Sequence, residues 1–116
     1  MKARNLRHRL EKAAKLLVTV QKHLPDVTCQ FADDKGENGH LMVRLPLGGD
    51  ASKLGADLEG RGFAFTRARS PWLGAEIYRG TKEDQPRIII EVEIPANRLS
   101  RGPEIAELAY SFKNGK

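Results

Sequence analysis

Between Pro86 and Pro95 the chain reads Arg-Ile-Ile-Ile-Glu-Val-Glu-Ile, with a branched apolar residue at every second position. Ile88, Ile90, Val92 and Ile94 share one parity; Arg87, Ile89, Glu91 and Glu93 share the other. A period of two marks a strand with one dry and one wetter face, and β-branched side chains suit a pleated surface. The two prolines bound it, because Pro cannot donate to an interior ladder. Four branched residues on one face predict a central strand to which others pair.

The first 24 residues carry a different period. Leu6, Leu10, Ala13, Leu17, Val20 and Leu24 recur at spacings of four and three, which predicts one amphipathic helix over 2–24. Pro25 ends it, since the residue before Pro disfavours helical geometry. Residues 27–32 alternate with Val27, Cys29 and Phe31 inward, and Leu41, Val43 and Leu45 form the returning face. The intervening segment, Asp33 to Gly39, has turn chemistry throughout, so the two runs read as a hairpin. A helix is expected over 51–59, with Asp50 as N-cap and Gly60 in the left-handed position after its end. Strands are expected over 61–69, 73–79 and 86–94.

The resulting order is α-β-β-α-β-β-β: an α+β, two-layer sandwich with a mostly antiparallel five-stranded sheet and the helices on one face. Residues 1–95 form the expected single domain. Residues 96–116 form an extension whose pattern allows a short helix over 103–112, starting at Pro103.

Composition narrows the class. The chain has 116 residues, 40% hydrophobic and 30% charged, as expected for a globular domain. No apolar run approaches the roughly 20 residues of a membrane span, and the N-terminus has no apolar signal block, so a cytoplasmic location is expected. Cys29 is the single cysteine, which excludes an internal disulfide; its parity predicts a small buried hydrophobe.

Charge changes the picture more. The formal net charge is +5, and residues 1–24 hold seven Lys and Arg against one acid, Glu11. The rest of the chain has 13 bases and 14 acids, so the whole excess belongs to the helix. Such asymmetry speaks to partners rather than to fold. Lys2, Arg4, Arg7, Arg9, Lys12 and Lys15 become candidate phosphate contacts, which position nucleic acid without reading its sequence.

Arg61-Gly62-Phe63-Ala64-Phe65 resembles the start of the octamer on the third strand of the RNA-recognition motif. The resemblance implies Phe63 and Phe65 stacked on bases and Arg61 on a phosphate. It covers five residues and departs from the motif at Thr66 and Ala68. Parity argues the other way. Outward phenylalanines would leave only Ala64, Thr66 and Ala68 for the core, so Phe63 and Phe65 are expected inside.

Glu91 and Glu93 lie on one strand face, about 6.5–7 Å apart. Cross-strand pairing with Arg44 and Arg79 is the expected role, ahead of glycoside or metal chemistry. His8, His23 and His40 show no metal spacing, the acidic turn lacks the calcium-loop series, and no serine sits in a nucleophile motif. No catalytic site, cofactor or metal is expected. Trp72 and Tyr78 share a parity and form a candidate protein-contact patch.

The functional expectation is a small non-catalytic protein that contacts nucleic acid or a nucleoprotein complex through its basic helix. The alternative is a protein-binding adaptor or inhibitor, of the kind phages and mobile elements encode, acting through an aromatic or sheet-face surface. The helical stripe also permits a homodimer.

Overall fold

The structure is a computed structural model that describes residues 3–34, 38–49, 51, 53–68, 74–83 and 87–95. Within them the chain forms α1 (Ala3–His23), β1 (Thr28–Asp34), β2 (Asn38–Arg44), α2 (Leu54–Gly60), β3 (Ala64–Ala68), β4 (Glu76–Thr81) and β5 (Arg87–Ile94). The order is the one the sequence pattern predicts. Lys2, Asp50, Trp72 and the segment 96–116, with its candidate helix, lie outside the described residues.

The strands lie in the order β1-β2-β5-β4-β3. β5 sits at the centre, antiparallel to β4 and parallel to β2. The sheet is therefore mixed: α-β-β-α-β-β-β builds a first hairpin, crosses by way of α2 to the far edge, and returns by a meander that lands β5 beside β2. A parallel pair cannot be closed by a tight turn, and here α2, β3 and β4 all intervene between β2 and β5.

Ile88, Ile90, Val92 and Ile94 are all buried, the last three completely in the case of Ile90, Val92 and Ile94. Cross-strand partners share a face, so β5 imposes its parity on the sheet. Leu41 pairs with Ile90 and Val43 with Val92 on one side; Tyr78 pairs with Val92 and Gly80 with Ile90 on the other. These residues join Ala13, Leu16, Val20 and Leu24 of α1 and Leu54 and Leu58 of α2 in one core. Both helices thus cover the same face, and the fold has two layers. Phe63 and Phe65 are buried in that core, as parity requires.

Two glycines make room for the aromatic rings of the edge strands. A Cβ on Gly80 would lie 2.6 Å from the Phe65 ring and 2.9 Å from Ile90 Cγ2. A Cβ on Gly39 would lie 2.9 Å from the Phe31 ring and 2.7 Å from Ile88 Cδ1. Each phenylalanine therefore lies over a bare stretch of the neighbouring strand, one on either side of β5.

The buried stripe of α1 is rotated from the expected one. Arg9, Ala13, Leu16, Val20 and Leu24 are buried, whereas Leu10 is 44% exposed and Leu17 only partly covered. The cause is Arg9. Its guanidinium bonds both oxygens of Asp33 at the end of β1, Nε at 2.5 Å and Nη2 at 3.1 Å, in a fork-to-fork pair. That pair turns Arg9 inward and swings Leu10 outward. Cys29 also departs from expectation: it has the helix-side parity of Val43 but is exposed, because β1 is an edge strand that α1 barely overlies.

Two consequences are measurable. Asp33→Asn removes the carboxylate that both guanidinium nitrogens of buried Arg9 contact and is expected to destabilise the fold by about 3 kcal/mol in urea unfolding. The double variant Arg9→Met/Asp33→Val is expected to recover most of that loss, since apolar pairs replace buried ion pairs at little cost. Gly80→Ala is expected to cost about 2 kcal/mol by overpacking. Combining it with Phe65→Leu is expected to be less damaging than the two single losses added together.

Candidate anion-binding groove

α2 ends in a hydrogen-bonded closure that sets two side chains of the groove. Phe63 N–H donates to the Leu58 carbonyl and Gly62 N–H to that of Glu59, at 3.2 and 2.9 Å. This is the Schellman pattern, with Arg61 as C-cap and Gly62 in the left-handed region at φ +100°. Gly60, expected in that position, is instead the last helical residue. The motif's apolar contact partners are Leu58 and Phe63, both buried. Phe63 therefore points into the core while Arg61 stays at the surface.

α1 supplies the opposite wall. Lys12, Lys15 and Thr19 lie on the flank of α1 next to its buried stripe. The turn after β4 supplies Lys82. Its stem runs past Gly62, where a Cβ would stand 3.2 Å from Lys82 Cε, and its ammonium sits 5.8 Å from the centre of the Phe63 ring. The start of β5 adds Ile88 to the floor.

Together these elements enclose a groove of about 340 Å³. Four cations (Lys12, Lys15, Arg61 and Lys82) rim it, and Leu16, Phe63 and Ile88 form an apolar floor. None of the residues lining it is acidic. Arg61 is paired with Asp57, which is held from two sides: Oδ2 lies 2.7 Å from His23 Nε2, and Oδ1 accepts from Arg61 Nε at 3.0 Å. The His23 hydrogen bond is the main reason that the Asp57 carboxyl sits below its ordinary value, with Arg61 reinforcing it against burial. Asp57 thereby ties the end of α1 to α2 and anchors the base of the Arg61 side chain.

The sequence-derived candidates separate. Lys12 and Lys15 reach the groove. Arg7 is exposed on the outer crest of α1, 3.6 Å from Glu11. Arg9 is consumed by Asp33 and is 2% exposed, which removes it from any phosphate surface. For Arg4 only the backbone is described. Tyr78 is fully buried, because pairing with Val92 puts it on the core side, so it belongs to no contact patch. Its hydroxyl donates to Glu76, which also pairs with Arg67 at 3.2 Å. Burial, with Glu76 second, pushes the Tyr78 phenol well above its ordinary value.

Glu91 and Glu93 occupy the opposite, open face of the sheet. Arg79 Nη2 lies 2.9 Å from Glu91 and Arg44 Nε 3.6 Å from Glu93. They line a second groove, of about 430 Å³, with Met42, Ile77 and the strand β1. The cross-strand arginine pairing expected of them is present. Among the described residues no three His, Cys, Asp or Glu side chains converge as a metal site, and no helix is long and apolar enough to cross a membrane.

Lys82 is not among the sequence candidates, and Arg61 enters there only through a resemblance. Arg61 stood in the string singled out for its resemblance to the RNA-recognition motif. Its nearness to Phe63 is real, but it arises from a helix cap rather than from an exposed strand face. Nothing local marks Lys82; its place depends on the strand order. Comparison with protein-family models, curated proteins and solved structures finds no match to this chain.

The sign of the Asp57 effect can be checked. A carboxyl held below its unfolded value adds stability that is complete above that value, near 3.8, and disappears as pH falls through the lower, folded value. Urea melts from about pH 6 down to about pH 2 are expected to show a loss of stability in the native chain below about pH 4. In Asp57→Asn this loss is expected to be smaller, with lower stability at neutral pH.

Proposed function

We propose that this chain is a binding protein that engages nucleic acid, alone or in a nucleoprotein complex, through phosphates held at the groove beside α1. The observation that carries the reading is the convergence of cations from three separate elements on a groove with no acidic lining. The lining is suited to holding an anion. It offers ammonium and guanidinium groups and one hydroxyl, and no carboxylate, thiol or imidazole. The excess positive charge of residues 1–24 reinforces it at long range by raising the local concentration of a polyanion.

The Thr19 hydroxyl is directed to the Lys15 carbonyl at 3.4 Å, which keeps it within the α1 wall. Phosphate contact would therefore fall to the four cations. The open sheet face is a poorer platform, because Arg79 and Arg44 are there paired with Glu91 and Glu93 and leave no concentration of positive charge.

A protein-binding adaptor or inhibitor is a second reading, supported by one observation. Val18 is 66% exposed and Leu10 44% exposed on α1, which also carries the partly buried Leu17. Such a surface suits a protein contact.

The test is the salt dependence of nucleic-acid affinity. Neutralising four phosphates on a single strand is expected to give a slope of log affinity against log salt of about −3. Lys12→Gln/Lys15→Gln is expected to reduce that slope by roughly 1 to 1.5 while leaving the melting temperature close to that of the native chain. Absence of binding at low salt, or affinity independent of salt, would overturn the proposal.

A further inference from the structure

We infer that the groove takes single-stranded nucleic acid, one nucleotide at a time, in preference to the backbone of a duplex. This rests on the reading of the groove as a phosphate site. Three observations favour the single strand.

The cations of the groove do not lie where a duplex would meet the helix. The outward side of α1 runs through Arg7, Glu11, Ala14 and Val18 to Gln21 and Lys22, all exposed. Arg7 is offset by Glu11 at 3.6 Å, and Ala14, Val18 and Gln21 are uncharged, so Arg7 and Lys22 stand at opposite ends of this row. A helix laid into a DNA groove would present this row, and its middle is uncharged and partly apolar. Lys12 and Lys15 sit on the flank instead, facing a depression.

The depression has an apolar floor. Leu16, Phe63 and Ile88 line it beneath the cationic rim. A phosphate gains nothing from such a floor, whereas a sugar and base do. Charged grooves combined with aromatic and cation–π groups are the means by which proteins hold single strands without sequence preference. Here the Lys82 ammonium lies 5.8 Å from the Phe63 ring centre.

The size fits one unit. About 340 Å³ lies near the lower end of small-ligand sites, which run from roughly 300 to 1,000 Å³. One nucleotide would place its phosphate between Lys15 and Arg61 and its sugar and base on Leu16 and Ile88, with the neighbouring nucleotides outside.

The experiment measures fluorescence anisotropy of the full chain with a labelled mixed-sequence strand of about 12 nucleotides. The same strand is then measured annealed to its complement, both at about 50 mM salt. The single strand is expected to bind at least about tenfold more tightly. Lys82→Met keeps the stem over Gly62 and removes the charge; it is expected to weaken single-strand binding about fivefold or more. Arg7→Gln, on the crest, is expected to change it by less than about twofold. Equal or tighter duplex binding with a steep salt slope overturns this inference and leaves the phosphate reading standing. A loss with Arg7→Gln as large as that with Lys82→Met also overturns it, because binding would then follow the crest. Failure of both forms to bind at low salt overturns both readings.

Discussion

Everything in this fold takes its side from β5. The strand has neighbours on both edges and helices over one face, and its four inward residues are buried almost without remainder. A slip of one residue would send all four to the open face and bring Arg87, Ile89, Glu91 and Glu93 inside. The penalty for burying two carboxylates is large enough to fix the register. Once it is fixed, β2 and β4 have no choice of face, and β4 passes the constraint on to β3. Phe65 pairs with Gly80, which pairs with Ile90, so its inward position is set two strands away.

Features that depend on local period were therefore legible in the sequence. The strand alternation, the presence of an amphipathic first helix and the element order all follow from residues close together along the chain, and the pattern within 61–69 already marks Phe63 and Phe65 as its inward side. The parallel contact between β2 and β5 was not legible, because it depends on which edge the crossover reaches. The stripe of α1 shows a second kind of limit. Hydrophobicity alone centres it on Leu10 and Leu17, but the Arg9–Asp33 pair, 24 residues apart, rotates it. A charged residue can occupy a core position when its partner comes from another element, and no period reveals that. Cys29 and Tyr78 fail in opposite directions for a related reason. Parity gives the side of a sheet, but whether a side is covered depends on where the helices lie across it. Tyr78 lies next to the centre and is sealed; Cys29 lies at the edge and is open.

The groove belongs to this non-local class. Lys12 and Lys15 were legible because the helix is basic. Arg61 and Lys82 join them because the meander places the end of β4 and the start of β5 against the α2 closure and the α1 flank. Gly62 links the two halves of that arrangement. Its left-handed conformation closes α2, and its missing side chain leaves the path along which the Lys82 stem crosses to Phe63. One residue thus serves helix termination and side-chain placement at once.

The distribution of charge over the two faces of the molecule leads to the same surface. On the open sheet face the ions come in opposed pairs, Arg79 with Glu91 and Arg44 with Glu93, so their fields largely cancel at a distance. Pairs of this kind contribute little to stability, and between them they leave an incoming polyanion neither drawn nor held. On the helix face the balance is different. Arg9 is spent on Asp33 and Arg7 is paired with Glu11, while Lys12 and Lys15 line the same groove as Arg61 and Lys82, and no carboxylate lines it. Asp57 is drawn toward His23 and anchors Arg61 from behind. The cations are thus concentrated where the surface is concave, and a low-dielectric floor beneath them strengthens their field. Lys12 and Lys15 bring part of the charge that sets this chain apart to the cavity the fold creates, and the proposed anion site rests on that coincidence.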